Sequence, residues 1–291
     1  MNNKMHTLAS LGLFALGFSL NAQGGFVLFG DSAAEIAPEQ RTVRPISAPY
    51  FHEDSFVTTD LRAWYVAHEF SSDTVQGDVT VAALQVRLAL TESLQFVAYK
   101  DGYTDFDGGA LGGRDGLNDI GAGVKWAFIQ DWENQFHMAA GLGYEFGFGD
   151  DEVLQDTDEL RLWLSVNKGF GRLHLGATAN LILSEDDSEG LFGNSDLVTL
   201  HLHADYYFCE WFSPVLELNG YLAQDESVLA FSGVDAVSLG GGEENDTYTY
   251  AIGGEIRLID SLGIRVAYED ELNDNVSLFG DRWTFSAVYE F

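Results

Sequence analysis

The last twelve residues, Gly280 to Phe291 (GDRWTFSAVYEF), alternate strictly between an apolar set (Trp283, Phe285, Ala287, Tyr289, Phe291) and a second set (Arg282, Thr284, Ser286, Val288, Glu290). Period two is the spacing of side chains on a β-strand, so this stretch is a strand with one apolar face. The same periodicity predicts twelve strands, at about 60–70, 79–90, 94–100, 119–129, 135–146, 159–168, 172–183, 197–208, 214–223, 247–258, 262–269 and 282–291. Representative apolar faces are Ala82, Leu84, Val86, Leu88 and Leu90, then Ile120, Ala122, Val124, Trp126 and Phe128. Two more are Leu160, Leu162, Leu164 and Val166, and Leu173, Leu175, Ala177, Ala179, Leu181 and Leu183. The chain is therefore expected to be all-β, and its 32 Gly, 13% aromatics and 4 Pro suit many strands joined by tight turns.

Alternation alone serves a soluble sandwich, whose apolar faces meet in a core, as well as a transmembrane barrel, whose apolar face meets lipid. Connection lengths separate the two. The links at Thr91–Ser93, Gln130–Asn134, Lys168–Gly171, Cys209–Phe212 and Ile259–Ser261 are short. Those at Ser71–Asp78, Asp101–Asp119, Gly147–Glu159, Ser184–Asp196, Gln224–Asp246 and Glu269–Asp281 are long. Regular alternation of short and long links is the pattern of an antiparallel up-and-down barrel, with short periplasmic turns and long extracellular loops. A Greek-key sandwich mixes its connections without that regularity. Aromatic residues divide likewise. Phe128, Trp132, Phe136, Phe208, Trp211 and Phe212 lie near the short turns, and Tyr144, Phe146, Tyr248, Tyr250, Tyr268 and Trp283 near the long links, as two interfacial belts would require.

Lys4 precedes an apolar run from Leu8 to Leu20, followed by Asn21 and Ala22, which reads as a signal peptide over 1–22. The expected division is then a segment over 23–59 and the barrel over 60–291. The segment carries Pro38, Pro45, Pro49, Arg41 and Arg44 without alternation, and is expected either to remain periplasmic or to fold inward as a plug. No Cys follows the signal peptide, so no lipidation is expected, and the single Cys209 permits no intramolecular disulfide. No stretch of eighteen apolar residues follows either, which excludes a bundle of transmembrane helices.

The final strand, ending on an aromatic residue, resembles the closing strand of Gram-negative outer-membrane β-barrels, whose terminal Phe is read by the barrel-assembly machinery. That resemblance implies Phe291 as the membrane insertion signal. The phrase from Pro45 to Phe70 (PISAPYFHEDSFVTTDLRAWYVAHEF) resembles the entry segment of barrel proteins from environmental Gram-negative bacteria. The run Gly116 to Phe128 (GLNDIGAGVKWAF) resembles the Gly-Asx strand start of transporters of the phenol-degradation MetA type. These three stretches together imply an outer-membrane barrel that passes small molecules, and they transfer no binding residue.

Charge is partitioned between loops and strands. The six long links hold 29 Asp and Glu against one base, Arg114, in a chain of net charge −32. A soluble outer rim is the simpler explanation; cation bridging to lipopolysaccharide is the sharper one, with divalent ions drawn to Asp150-Asp151-Glu152 or Glu185-Asp186-Asp187. Neither run has the spacing of a calcium loop, and no metal site is assigned. Eight of the fourteen bases, Arg62, Arg87, Lys125, Arg161, Arg172, Arg257, Arg265 and Arg282, fall on the polar faces and are expected to line the lumen. Glu145, Asp205, Glu217, Glu255 and Glu290 are expected beside them, and Trp64 and Trp163 on the same inner face. A charge facing lipid at mid-depth would cost roughly 2 to 4 kcal/mol, so these groups must turn inward on any reading.

Inside, they can pair across strands and stiffen a narrow barrel, or form a guanidinium track for anionic solutes. In the second case Arg161→Ala or Arg265→Ala should weaken an anion-preferring conductance. Outer-membrane phospholipase carries His-x-Ser-Asn, and no His here is followed by Ser at that spacing, so no enzyme is expected. His201 and His203 share a lumenal face and are taken as polar lining, with His174 several residues away. No cofactor and no nucleic-acid surface is indicated. The expectation is a narrow channel or transporter for small solutes; the rival is a structural or adhesive barrel with a closed lumen and cation-binding loops. Val228–Gly242 could fold into the mouth as a constriction.

Overall fold

The computed structural model describes residues 25–30, 37–153, 158–185, 196–224, 246–272 and 279–291. The signal-peptide region, Asp186-Asp187 and Val228–Gly242 lie outside the described residues. Fourteen strand segments follow one another: β1 (Asp60–Phe70), β2 (Asp78–Ala89), β3 (Leu94–Lys100), β4 (Tyr103–Asp107), β5 (Asp115–Leu117), β6 (Ile120–Asp131) and β7 (Phe136–Phe146), then β8 (Glu159–Phe170), β9 (Leu173–Ser184), β10 (Leu197–Tyr206), β11 (Phe212–Ala223), β12 (Thr247–Ile259), β13 (Leu262–Glu271) and β14 (Phe279–Glu290). All pairings are antiparallel between neighbours, and β14 returns to β1 in register from Asp60 opposite Glu290 to Phe70 opposite Phe279. The segments fill twelve positions of a closed barrel.

Two positions are shared. β3 and β4 succeed each other along β2, and β5 and β6 form the next position, pairing with β4 and β3 respectively. The break falls at Asp101 and Gly102, where Gly102 adopts φ 130° and a Cβ would lie 2.8 Å from the Ala82 carbonyl. Asp101–Asp119 is therefore a strand hairpin and not a loop, a correction to the sequence reading. Its acids, Asp105, Asp107 and Asp115, lie on the exposed outer face, while Thr104 and Phe106 point inward and are buried. Charge on the outward face concealed the alternation.

The inside and outside of the wall invert the usual order of a soluble protein. Outward side chains are large, apolar and exposed, such as Trp126 at 57%, Leu202 at 52% and Ile252 at 58%. Inward ones are polar and buried, including Arg87, Lys125 and Arg282. Packing inside uses flat rings on glycine: the Trp163 ring lies where a Gly141 Cβ would be, at 2.0 Å, and Tyr99 covers both Gly121 and Gly143.

The chain before β1 fills this interior. Phe26, Leu28 and Phe29 donate backbone hydrogen bonds to Phe291, Ala89 and Leu90 at the short-turn end. From Pro38–Gln40 the segment enters the barrel, and Thr42 to Ser55 are almost entirely buried. Towards the long-loop end, Tyr50 and Phe51 join an apolar cluster with Trp64, Val66, Phe70, Phe106, Tyr221 and Phe279. Nearer the short turns, Val43 and Ile46 pack on Val215, Ala251 and Ala267. Each apolar cluster is flanked by buried charges: Lys100, Glu145, Arg161, Glu269 and Arg282 lie towards the long loops, and Arg62, Arg87, Lys125 and Arg265 nearer the short turns.

Candidate functional site: the lumen and the segment inside it

A segment inside a barrel needs partners for every backbone group, because an unmet buried amide costs about 1 to 3 kcal/mol; one turn supplies its own, Phe51 and His52 donating to the Ala48 carbonyl. The wall supplies them from two sides. On β10 and β11 the acceptors face inward. Val43 donates its N–H to Asp205 at 3.2 Å, and Ile46 and Ser47 donate theirs to Glu217 at 3.0 and 2.7 Å. On β2, β6, β8 and β9 the donors face inward. Gln85 donates to the Pro49 carbonyl at 3.0 Å, Arg161 to those of Tyr50 and Phe51, and Asn180 to that of Phe51 at 3.0 Å. Ser165 and Thr178 both donate to the Glu53 carbonyl, and Lys125 donates to that of Asp54 at 3.0 Å. Apart from the Ser55 N–H, which donates to Asn167 of β8 at 2.8 Å, and the Arg44 carbonyl, which accepts from Arg265 of β13 at 3.4 Å, these wall contacts meet N–H groups on one side and carbonyls on the other.

Two segment carboxylates meet three wall cations. Glu53 pairs with Arg87, and Lys125 lies 3.7 Å from it. Asp54 lies 3.4 Å from both Lys125 and Arg62, with the segment's own Arg44 at 3.7 Å. Arg62 also holds Asp60 at 2.7 Å. All of these groups are buried except for a small exposed part of Arg44. In such surroundings a lone charge would be costly, and mutual pairing is what allows the set to remain ionised.

The remaining predicted lining residues form further groups. Glu255 accepts from Arg265 and Arg257, each at 2.7 Å, while Glu290 lies 3.8 Å from Arg44 and 4.0 Å from Arg257. Glu145 pairs with Lys100, and Arg282 lies 3.7 Å from Glu269. His203 bridges Glu217 at 2.7 Å and Asp205 at 3.1 Å, and Asp205 also holds His174 at 2.8 Å. His201 bonds Asn219 and Thr199, and the segment's His52 stacks on it at 5.1 Å. Among the described residues no group of His, Cys, Asp and Glu is placed to hold a metal ion.

Seven of the eight predicted basic residues line the interior, and Arg172 does not. It sits exposed in the two-residue turn before β9, its guanidinium 5.7 Å from the Tyr207 ring. It keeps the inward parity of His174, but the wall ends before parity can bury it. Glu145, Asp205, Glu217 and Glu255 are all inward and buried. Phe291 is partly exposed at the short-turn end, its N–H donating to the Thr59 carbonyl. Sequence reasoning missed Asp60, Glu159 and Glu269 on the wall, although their strand parity could have found them, and Lys100, which parity places outward and which the register shift between Ala98 and Lys100 turns in. It also missed Arg44, Glu53 and Asp54, for which no periodicity exists. His174 was expected apart from His203; Asp205 joins the two because it lies opposite His174 in the β9–β10 register.

A small hollow with room for about one water molecule lies at the short-turn mouth, bounded by Thr42, Phe56, Trp132, His137, Asn167 and His174.

No family model and no curated protein matches the sequence. Among solved structures, the COG4313 outer membrane channel from Pseudomonas putida F1 superposes with a TM-score of 0.62 at 15% identity, over 86% of this chain and all of that one. The NanC porin superposes with a TM-score of 0.53 at 11% identity, over 80% of this chain and all of that one. At these identities the likeness is one of fold: this chain has the fold of outer-membrane channel barrels.

Proposed function

We propose that the protein is an outer-membrane barrel of a Gram-negative bacterium that passes small solutes and is closed at rest by its own N-terminal segment. The observation that carries the reading is what fills the lumen. Residues 42–55, a piece of chain tethered before β1, occupy the space inside the closed wall. Removing such a piece would leave a hydrated passage, which a twelve-stranded barrel is wide enough to hold. The continuous apolar outer surface supports burial of the wall in lipid, with the short turns and both described chain ends on the periplasmic side. The stretch that resembles MetA-type transporters supports a transport role on its own weaker ground.

Anionic solutes are favoured over cations on this reading. Withdrawal of the segment would leave Arg87, Lys125 and Arg161 facing the passage without their segment partners, whereas Asp205 and Glu217 on the opposite side would keep His203 and His174 as wall partners. The rival is a structural or adhesive barrel that never opens and binds cations through its acidic loops; the many hydrogen bonds between segment and wall favour it. Planar-bilayer conductance separates the two. The refolded chain lacking residues 23–59 should conduct steadily, with anion preference in a KCl gradient, and the intact chain far less. A truncated barrel that refolds and stays silent refutes the channel.

A further inference from the structure

The contacts of Glu53 and Asp54 differ in kind from those of the rest of the segment. Elsewhere the wall binds backbone groups, hydroxyls and the cations Arg41 and Arg44 of the segment. At this level it binds side-chain carboxylates. Arg62, Arg87 and Lys125 project from β1, β2 and β6, which are neighbouring positions once β3 is counted between β2 and β6. One wall carboxylate, Asp60, is already engaged by Arg62 through Nε at 2.7 Å. The wall at this level therefore carries a net charge of two positive units, and the two carboxylates of the segment match it. Arg44, also on the segment, lies between Asp54 and Glu290 and leaves that balance unchanged.

A buried pair of uncompensated cations is costly, so this socket requires an anion in any closed, dry state of the barrel. Two carboxylates on adjacent residues satisfy it. Arg87 offers two nitrogens to Glu53, Lys125 sits between Glu53 and Asp54, and Arg62 takes the far oxygen of Asp54. Guanidinium forks and a bridging ammonium would accept the two ends of a short dicarboxylate in the same way.

We propose that Arg62, Arg87 and Lys125 form a binding site for a small dicarboxylate dianion, and that Glu53 and Asp54 occupy it as an internal stand-in until such a solute competes them away. The proposal rests on the solute-channel reading and names its substrate class. The segment is then a competitive inhibitor carried by the chain itself. Solute binding and segment release are linked, because the two cannot hold the same cations at once.

The test uses succinate and the refolded full-length mature chain in detergent at neutral pH, with heat-modifiable gel mobility as the check on folding. Titration calorimetry should show one saturable succinate site. Glu53→Gln with Asp54→Asn, which keeps shape and removes the competing charge, should tighten binding by about tenfold or more. Adding Arg87→Gln to that pair should abolish the binding. If the pair variant does not refold, Glu53→Gln alone should tighten binding in the same direction. Absence of saturable binding in a folded variant, or binding indifferent to Arg87→Gln, overturns the proposal. Conductance of the same preparations reads the channel separately: a variant that binds succinate but carries no current keeps the site and loses the channel, and one that conducts without binding loses the site and keeps the channel.

Discussion

The guanidinium of Arg161 donates to the carbonyls of Tyr50 and Phe51 and to Asn180, so it is a clamp on the segment and not a free station in a track. The consequence is a reversal of sign. On a track reading Arg161→Ala weakens the conductance; with this geometry it strips partners from two buried carbonyls and loosens the segment by about 1 to 3 kcal/mol. Conductance of Arg161→Ala should therefore rise, on the order of tenfold for each 1.4 kcal/mol if the segment alone limits opening. A fall in single-channel recordings would restore the track. Packing offers a second residue-scale case. Gly141 has the Trp163 ring where its Cβ would be, so Gly141→Val should overpack the lumen and destabilise the barrel by about 1 to 3 kcal/mol, read as a lower urea midpoint in detergent. Strand parity made Trp163 and the inward bases legible beforehand. It failed at Arg172, because parity says which face a residue shares and not whether the wall still extends that far.

At the scale of elements, the third and fourth wall positions continue towards the long-loop end as the β4–β5 hairpin, which pairs with β2 over Asp78–Ala82. It is anchored from outside the ladder: Asp150 accepts the Leu117 N–H at 2.7 Å, and Asp119 accepts the Gly149 N–H at 2.7 Å. Asp150→Ala should release the hairpin while leaving the strands below it paired. Limited proteolysis of the refolded protein should then cut within 103–117 faster than in the unaltered chain, with unchanged heat-modifiable mobility. Equal cutting rates would mean the hairpin holds by its own pairing with β2. The segment before β1 is the element sequence treated least well. Its prolines and lack of alternation excluded a strand, yet nothing in them chose between periplasm and lumen. The choice depends on partners hundreds of residues away, such as Glu217 for Ser47 and Arg44 beside Glu290.

For the whole molecule, the inverted distribution of side chains makes a prediction that does not depend on transport. Trp126, Trp211 and Trp283 face outward and are exposed, whereas Trp64 and Trp163 are buried inside. In vesicles of acyl-brominated lipid, single-tryptophan variants retaining Trp126 or Trp283 should be strongly quenched, and those retaining Trp64 or Trp163 should not. Equal quenching of all four would contradict the placement of the wall in lipid.

The number of wall positions, the boundaries of the twelve long strands to within a few residues, the outward apolar face and the closing strand follow from the sequence by itself, because a period-two pattern is a local property that each strand carries within about ten residues. Ring closure between β1 and β14, the pairing of the lumenal charges, and the place of residues 42–55 were decided only by the tertiary structure. Each depends on which inward groups reach the same height from different strands, and that is set by register and stagger around the whole barrel, which no local stretch contains.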